Sequence, residues 1–192
     1  KACAYLVSGV GDEAAAALAR LTLEYGLLGD DWRFGADSPS STSTLEYRSL
    51  EDALEAISAS AMTDESRFNN RTSDSESYYG LDRFIAASRC TQCLVFAGAR
   101  DSAVLKKLAA TAQSGSCRLN LVIGVDVLGR HSPSPSWQKA LWQESRSAPK
   151  SPKLSSTSDL TTLSQRVESI VLVDRTSGDL LKISDLKDAI LG

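Results

Sequence analysis

Four cysteines, a single histidine and a turn with paired glycines give this 192-residue chain its residues with the type and spacing for chemistry. The cysteines stand at positions 3, 90, 93 and 117. Cys90-Thr91-Gln92-Cys93 has the spacing of a redox or zinc motif, but a redox pair opens a helix after a strand. Here the apolar run Leu94–Ala97 makes the pair enter a strand instead. Each cysteine precedes an apolar run, so in a parallel sheet all four share the amino-terminal edge. Ligands bind such sheets at the opposite, carboxyl edge. Buried or shielded thiols are therefore expected, with disulfides and a four-cysteine zinc site as the alternatives, and no metal is assigned. His131 is the only catalytic candidate, and a weak one. A Ser/His or Cys/His mechanism must use it, yet it sits in a Ser/Pro loop with no evident orienting partner. The chain has no nucleophile elbow, no P-loop and no Tyr-x-x-x-Lys pair.

The glycine turn is Gly9-Val10-Gly11-Asp12-Glu13-Ala14, directly after the apolar segment Ala4–Ser8. The helix expected next carries Ala14, Leu18, Leu21 and Tyr25 on one face and ends at Gly26. Strand, G-x-G-x-x-A and helix form the context of a dinucleotide-binding turn. Gly9 makes the tight turn, Gly11 lets the backbone approach a pyrophosphate, and Ala14 keeps the helix close to the strand. Asp37 ends a short second strand about 26 residues beyond Gly11, near the ~20-residue spacing at which an acid meets a ribose hydroxyl. The alternative is an ordinary glycine turn. Asp12 and Glu13 favour the positive end of a helix dipole, and they repel a phosphate placed there.

On Gly9, Gly11, Ala14 and Asp37 the chain resembles the Rossmann-type NAD(P)-binding domain, over roughly residues 4–126. The segment Leu45–Leu54 resembles the strand and helix that follow in such domains. The resemblance implies NAD or NADP as cofactor, with Asp37 favouring NAD because a carboxylate accepts from the ribose diol and repels a 2′-phosphate.

The elements that must position these residues start from Leu94–Ala97, read as a buried parallel strand. Asp101 or Ser102 caps the next helix, which bears a stripe of Val104, Leu105, Leu108, Ala109 and Ala112, and Gly115 closes it. Leu119–Asp126 is another buried strand. Tyr5–Ser8, Leu94–Ala97 and Leu121–Val125 are expected to be adjacent and parallel. Ser49 caps a helix carrying Leu50, Leu54, Ile57 and Ala61, with Asp52 in the reciprocal position. Leu81, Phe84 and Ile85 start a helix into the central strand. Asp159 caps a late helix, Ile170–Asp174 is a strand, Leu180–Ile183 pairs back on it, and Ser184 caps a final helix. The expected fold is α/β, a three-layer Rossmann-like domain with a mainly parallel sheet and a C-terminal β-hairpin. Residues 1–130 form the core with a long polar loop at 63–80, residues 131–158 a Ser/Pro-rich linker with a short helix, and residues 159–192 complete the same domain. The strand ends gather Gly9, Gly11, Gly98, Arg100 and Asp126 at the carboxyl edge, where arginines near helix N-termini suit an anionic ligand.

A net charge of −3 and a pI near 5.2, without a basic patch, disfavour nucleic acid and anionic membranes as partners. No apolar run approaches the ~20 residues of a membrane span. The expected partner is a nucleotide or small anionic ligand, with proteins engaged through loop 63–80. The 29 serines mark long solvated connections. The start at Lys1 is read as a processed form; a cytoplasmic location is favoured, and secretion stays open through the even cysteine count and the sequon Asn70-Arg71-Thr72. Three functions follow: a Rossmann-like nucleotide-binding protein, as an oxidoreductase or its cofactor domain; a non-catalytic interaction subunit; or a secreted disulfide-containing factor.

Overall fold

The computed structural model describes residues 1–7, 13–37, 45–61, 79–99, 102–115, 117–125, 155–174 and 177–186. Among these the chain forms β1 (Ala2–Leu6), α1 (Glu13–Glu24), β2 (Trp32–Ala36), β3 (Leu45–Tyr47), α2 (Leu50–Ala61), α3 (Tyr79–Ser88), β4 (Gln92–Gly98), α4 (Ser102–Gln113), β5 (Arg118–Val125), α5 (Thr157–Ser164), β6 (Ser169–Asp174) and β7 (Leu180–Leu181). A 3-10 turn, Ile183–Asp185, follows. All seven strands join one sheet in the order β3-β2-β1-β4-β5-β6-β7. The five inner strands are parallel; β3 and β7 pair antiparallel at the two edges. The fold is α/β with a mostly parallel sheet, and β6–β7 is the expected hairpin.

Alternation along the strands divides the core in two. Tyr5, Val95, Ala97, Leu121 and Ile123 face one side, packed with Phe84 of α3, Leu105 and Leu108 of α4 and Leu160 and Leu163 of α5. Ala4, Leu6, Phe34 and Phe96 face the other, under Ala15, Ala16 and Ala19 of α1 and Ala53 and Ile57 of α2. The order runs outward from the middle in two directions. Right-handed connections then put the helices of each direction on opposite faces. β1, β4 and β5 are adjacent and parallel, as the unbroken apolar runs required.

Three local expectations need correction. In α1 the buried positions are Ala15, Ala16, Ala19 and Leu23, while Leu21 and Tyr25 are exposed. Apolar residues surround this helix almost completely, so periodicity could not choose its face. The small alanines let the helix lie close on the sheet. In α2, Ser49 does cap: its Oγ accepts from the Asp52 amide at 3.4 Å. Leu50 is nevertheless exposed, and Ala53 takes its place in the core. In α5 the cap is Ser156 rather than Asp159. Asp159 is the third-position acid, its Oδ2 accepting from the Ser156 amide at 3.0 Å, the reciprocal half of a capping box. The short helix expected within the linker at 131–158, most of the polar loop at 63–80 and the chain beyond Leu186 lie outside the described residues; Ser184, expected to cap the final helix, lies inside the 3-10 turn, which Lys182 precedes.

Candidate functional site

The carboxyl ends of β2, β1 and β4 lie side by side. The Asp37 amide donates to the Leu6 carbonyl at 3.1 Å, and the Val7 amide donates to the Phe96 carbonyl at 2.9 Å. One strand further on, Gly98 pairs in register with Gly124 of β5. Between β1 and β4 the sheet changes direction, with α1 departing to one face and α4 to the other. Asp37 is therefore two strand widths from β4, about 10 Å at the usual strand spacing.

Asp37 is held from within the core. The hydroxyl of fully buried Tyr5 donates to Asp37 Oδ1 at 2.5 Å. Tyr5 reaches it because its register partner on β2 is Gly35. A Cβ on Gly35 would lie 2.7 Å from ring carbons of both Tyr5 and Phe84, so only glycine lets the ring cross. Phe84 supports the other side, its ring centroid 5.3 Å from that of Tyr5. Gly80, in the first turn of α3, completes the arrangement. A Cβ there would collide with the Tyr5 hydroxyl and with Asp37 Oδ1. Burial, and then the Asp37 charge, push the Tyr5 phenol far above its ordinary value, so it stays a hydrogen-bond donor. Beside Asp37 is a cavity of about 10 Å³ lined by Val7, Leu81, Val104, Lys107, Leu108 and Thr111, room for about one water molecule. Burial lowers the Lys107 ammonium, and the charges of Asp82 and Asp37 oppose that shift.

Of the expected cofactor residues, Asp37 and Gly98 stand at this edge, and Ala14 is the second residue of α1. Ala14 is half-buried; the close approach of α1 to the sheet is made by Ala15, Ala16 and Ala19. Gly9, Gly11, Arg100, Asp126 and the catalytic candidate His131 lie outside the described residues, as do Asp101, Arg130 and Arg175. Asp174 is buried and serves the β6–β7 turn, its carbonyl accepting from the Gly178 amide at 2.8 Å. Tyr5, Gly35 and Gly80 were missed. The available signal was a tyrosine in an apolar strand, because a buried phenol needs a partner for its hydroxyl.

All four cysteines are buried and free, and they do share the amino-terminal edge: Cys3 and Cys93 are register partners on β1 and β4, and Cys117 directly precedes β5. Among the described residues no group of three histidine, cysteine or acidic side chains could hold a metal ion, and no helix is long and apolar enough to cross a membrane. Compared with known proteins, the chain matches no family model, and no curated protein or solved structure matches it.

Proposed function

We propose that the chain is a Rossmann-like nucleotide-binding domain that takes NAD, or NADP, across the carboxyl ends of β1 and β4, as an oxidoreductase or its cofactor-binding part. The observation that carries this reading is the strand order. β3-β2-β1-β4-β5-β6 is the order of doubly wound dinucleotide-binding sheets, which bind ligand where the order reverses. The antiparallel β3 departs from that pattern at the sheet's edge and leaves the β1/β4 reversal intact. Support also comes from Asp37 at the end of β2 and from Gly9 and Gly11 in the chain between β1 and α1. Asp37 accepts from Tyr5 at Oδ1, and a carboxylate at the end of this strand is the group that meets a ribose hydroxyl in such sheets. The cofactor supplies the hydride chemistry when bound; the protein's part is to bind and orient it.

The exposed Tyr25 and Leu27 after α1 favour a second reading, an interaction subunit. Titration calorimetry separates the two. The nucleotide reading expects heat with NAD, less with NADP, and none with Gly11→Val, whose side chain blocks the backbone from the pyrophosphate. No heat with either cofactor leaves the interaction subunit ahead.

A further inference from the structure

At the sheet edge opposite the proposed nucleotide site, the Sγ atoms of Cys90 and Cys117 are 3.6 Å apart. We propose that Cys90 and Cys117 are a redox pair, in which Cys90 is oxidised by a hydroperoxide and Cys117 resolves it to a disulfide. This inference is independent of nucleotide binding.

The pair is assembled by the fold rather than by the Cys-x-x-Cys spacing. α3 ends at Ser88, and Arg89 takes a left-handed turn with φ of 51°. Cys90 therefore leads from the end of α3 into β4, beside the residue that leads from the end of α4 into β5. The Arg118 amide donates to the Thr91 carbonyl at 2.9 Å, which ties the starts of these two strands together. A disulfide of about 2.05 Å requires the two sulfurs to close from 3.6 Å.

Cys90 is the reactive member for two reasons. First, although only 5% exposed, it lines a groove of about 640 Å³ between α3 and α4, with Asp82, Arg89, Thr91, Thr111 and Ser114 among its walls. Second, it is the centre of the thiol cluster. The neighbouring thiols, Cys93 foremost, favour its thiolate against the opposing effect of burial and hold its proton affinity below the ordinary thiol value; burial first, and then Cys90, push Cys3 and Cys117 up, and Cys90 first, then burial, push Cys93 up. Ser88 Oγ is 3.5 Å away, but it is also 2.5 Å from the Phe84 carbonyl. Its proton is shared with that carbonyl, as the protons of Cys93 and Cys117 are with the Leu94 and Arg118 carbonyls at 3.9 and 3.7 Å. The thiolate is the nucleophile in such chemistry.

The steps balance. The Cys90 thiolate attacks one peroxide oxygen, the S–O bond forms, the O–O bond breaks, and hydroxide (or alkoxide) leaves. Cys117 then loses its proton, its sulfur attacks the Cys90 sulfenic sulfur, and water departs as the S–S bond forms. The peroxide is reduced by two electrons, and the two thiols are oxidised by two.

The test treats the folded chain with hydrogen peroxide, blocks remaining thiols with iodoacetamide, and maps a non-reducing digest by mass. The expected product carries one cross-linked peptide, Cys90 to Cys117, lighter by about 2 Da than the sum of its two reduced halves. Cys117→Ser should instead accumulate a dimedone adduct on Cys90, and Cys90→Ser should resist oxidation. The wild-type map stands even if a variant fails to fold. A bond from Cys90 to Cys93, stoichiometric metal on the thiols, or no oxidation of the folded chain at peroxide levels that oxidise it in urea would overturn the proposal.

Discussion

Tyr5 couples three elements through one side chain. Its ring crosses Gly35 of β2, packs at a tilt against Phe84 of α3, and its hydroxyl holds Asp37. Gly35→Ala adds a carbon where both rings already stand, and such overpacking should cost about 1–3 kcal/mol in a urea titration. Tyr5→Phe keeps the packing and removes only the donor, so its cost should be about 1–2 kcal/mol. If both variants melt with the wild type, Tyr5 does not link these elements. At the thiol cluster the same scale yields a pH dependence. Below the ordinary thiol value of 9.0 the unfolded chain binds a proton at Cys90 that the folded cluster does not, so stability rises with pH toward that value. Above it, Cys3, Cys93 and Cys117 keep protons that the unfolded chain gives up, and stability falls. The urea midpoint of the reduced wild type, less that of Cys90→Ser, should peak near pH 9. A flat difference contradicts the coupling. Asp37 was legible in the sequence because a strand-ending acid is a local pattern. Its tyrosine was not, since their meeting depends on which strands are neighbours.

At the scale of elements, β4 and α1 behave differently. β4 is central, with Val95, Phe96 and Ala97 buried on both faces, and a continuous apolar run reads the same from either side. Phe96→Ala should cost about 3–5 kcal/mol as a core cavity. In α1 the alanine-rich face is the packed one. Ala19→Leu should cost about 1–3 kcal/mol, whereas Tyr25→Ala should stay within about 0.5 kcal/mol. The reverse order would restore the face carrying Leu21 and Tyr25. That face was misjudged because side-chain size pointed outward while the sheet selected for small contacts.

For the whole molecule, the parallel centre was readable because β1, β4 and β5 each carry a strong apolar run. The antiparallel β3 was not. It has three residues, too few for a period, and its direction is fixed by pairing with β2 rather than by its own composition. Much of the candidate site was named in the sequence, but Gly9, Gly11, Arg100, Asp126 and His131 lie outside the described residues, so its centre rests on the strand order and Asp37. The most direct measurement of the central claim is amide hydrogen exchange with and without saturating NAD. Ligand that binds only the folded state stabilises it by about 2.7 kcal/mol at a hundredfold excess over Kd. The account predicts that protection beyond this global gain concentrates in segments 6–15, 36–38 and 97–102, at the carboxyl ends of β1, β2 and β4. Unchanged exchange there, or protection confined to the amino-terminal edge around Cys90 and Cys117, would contradict it.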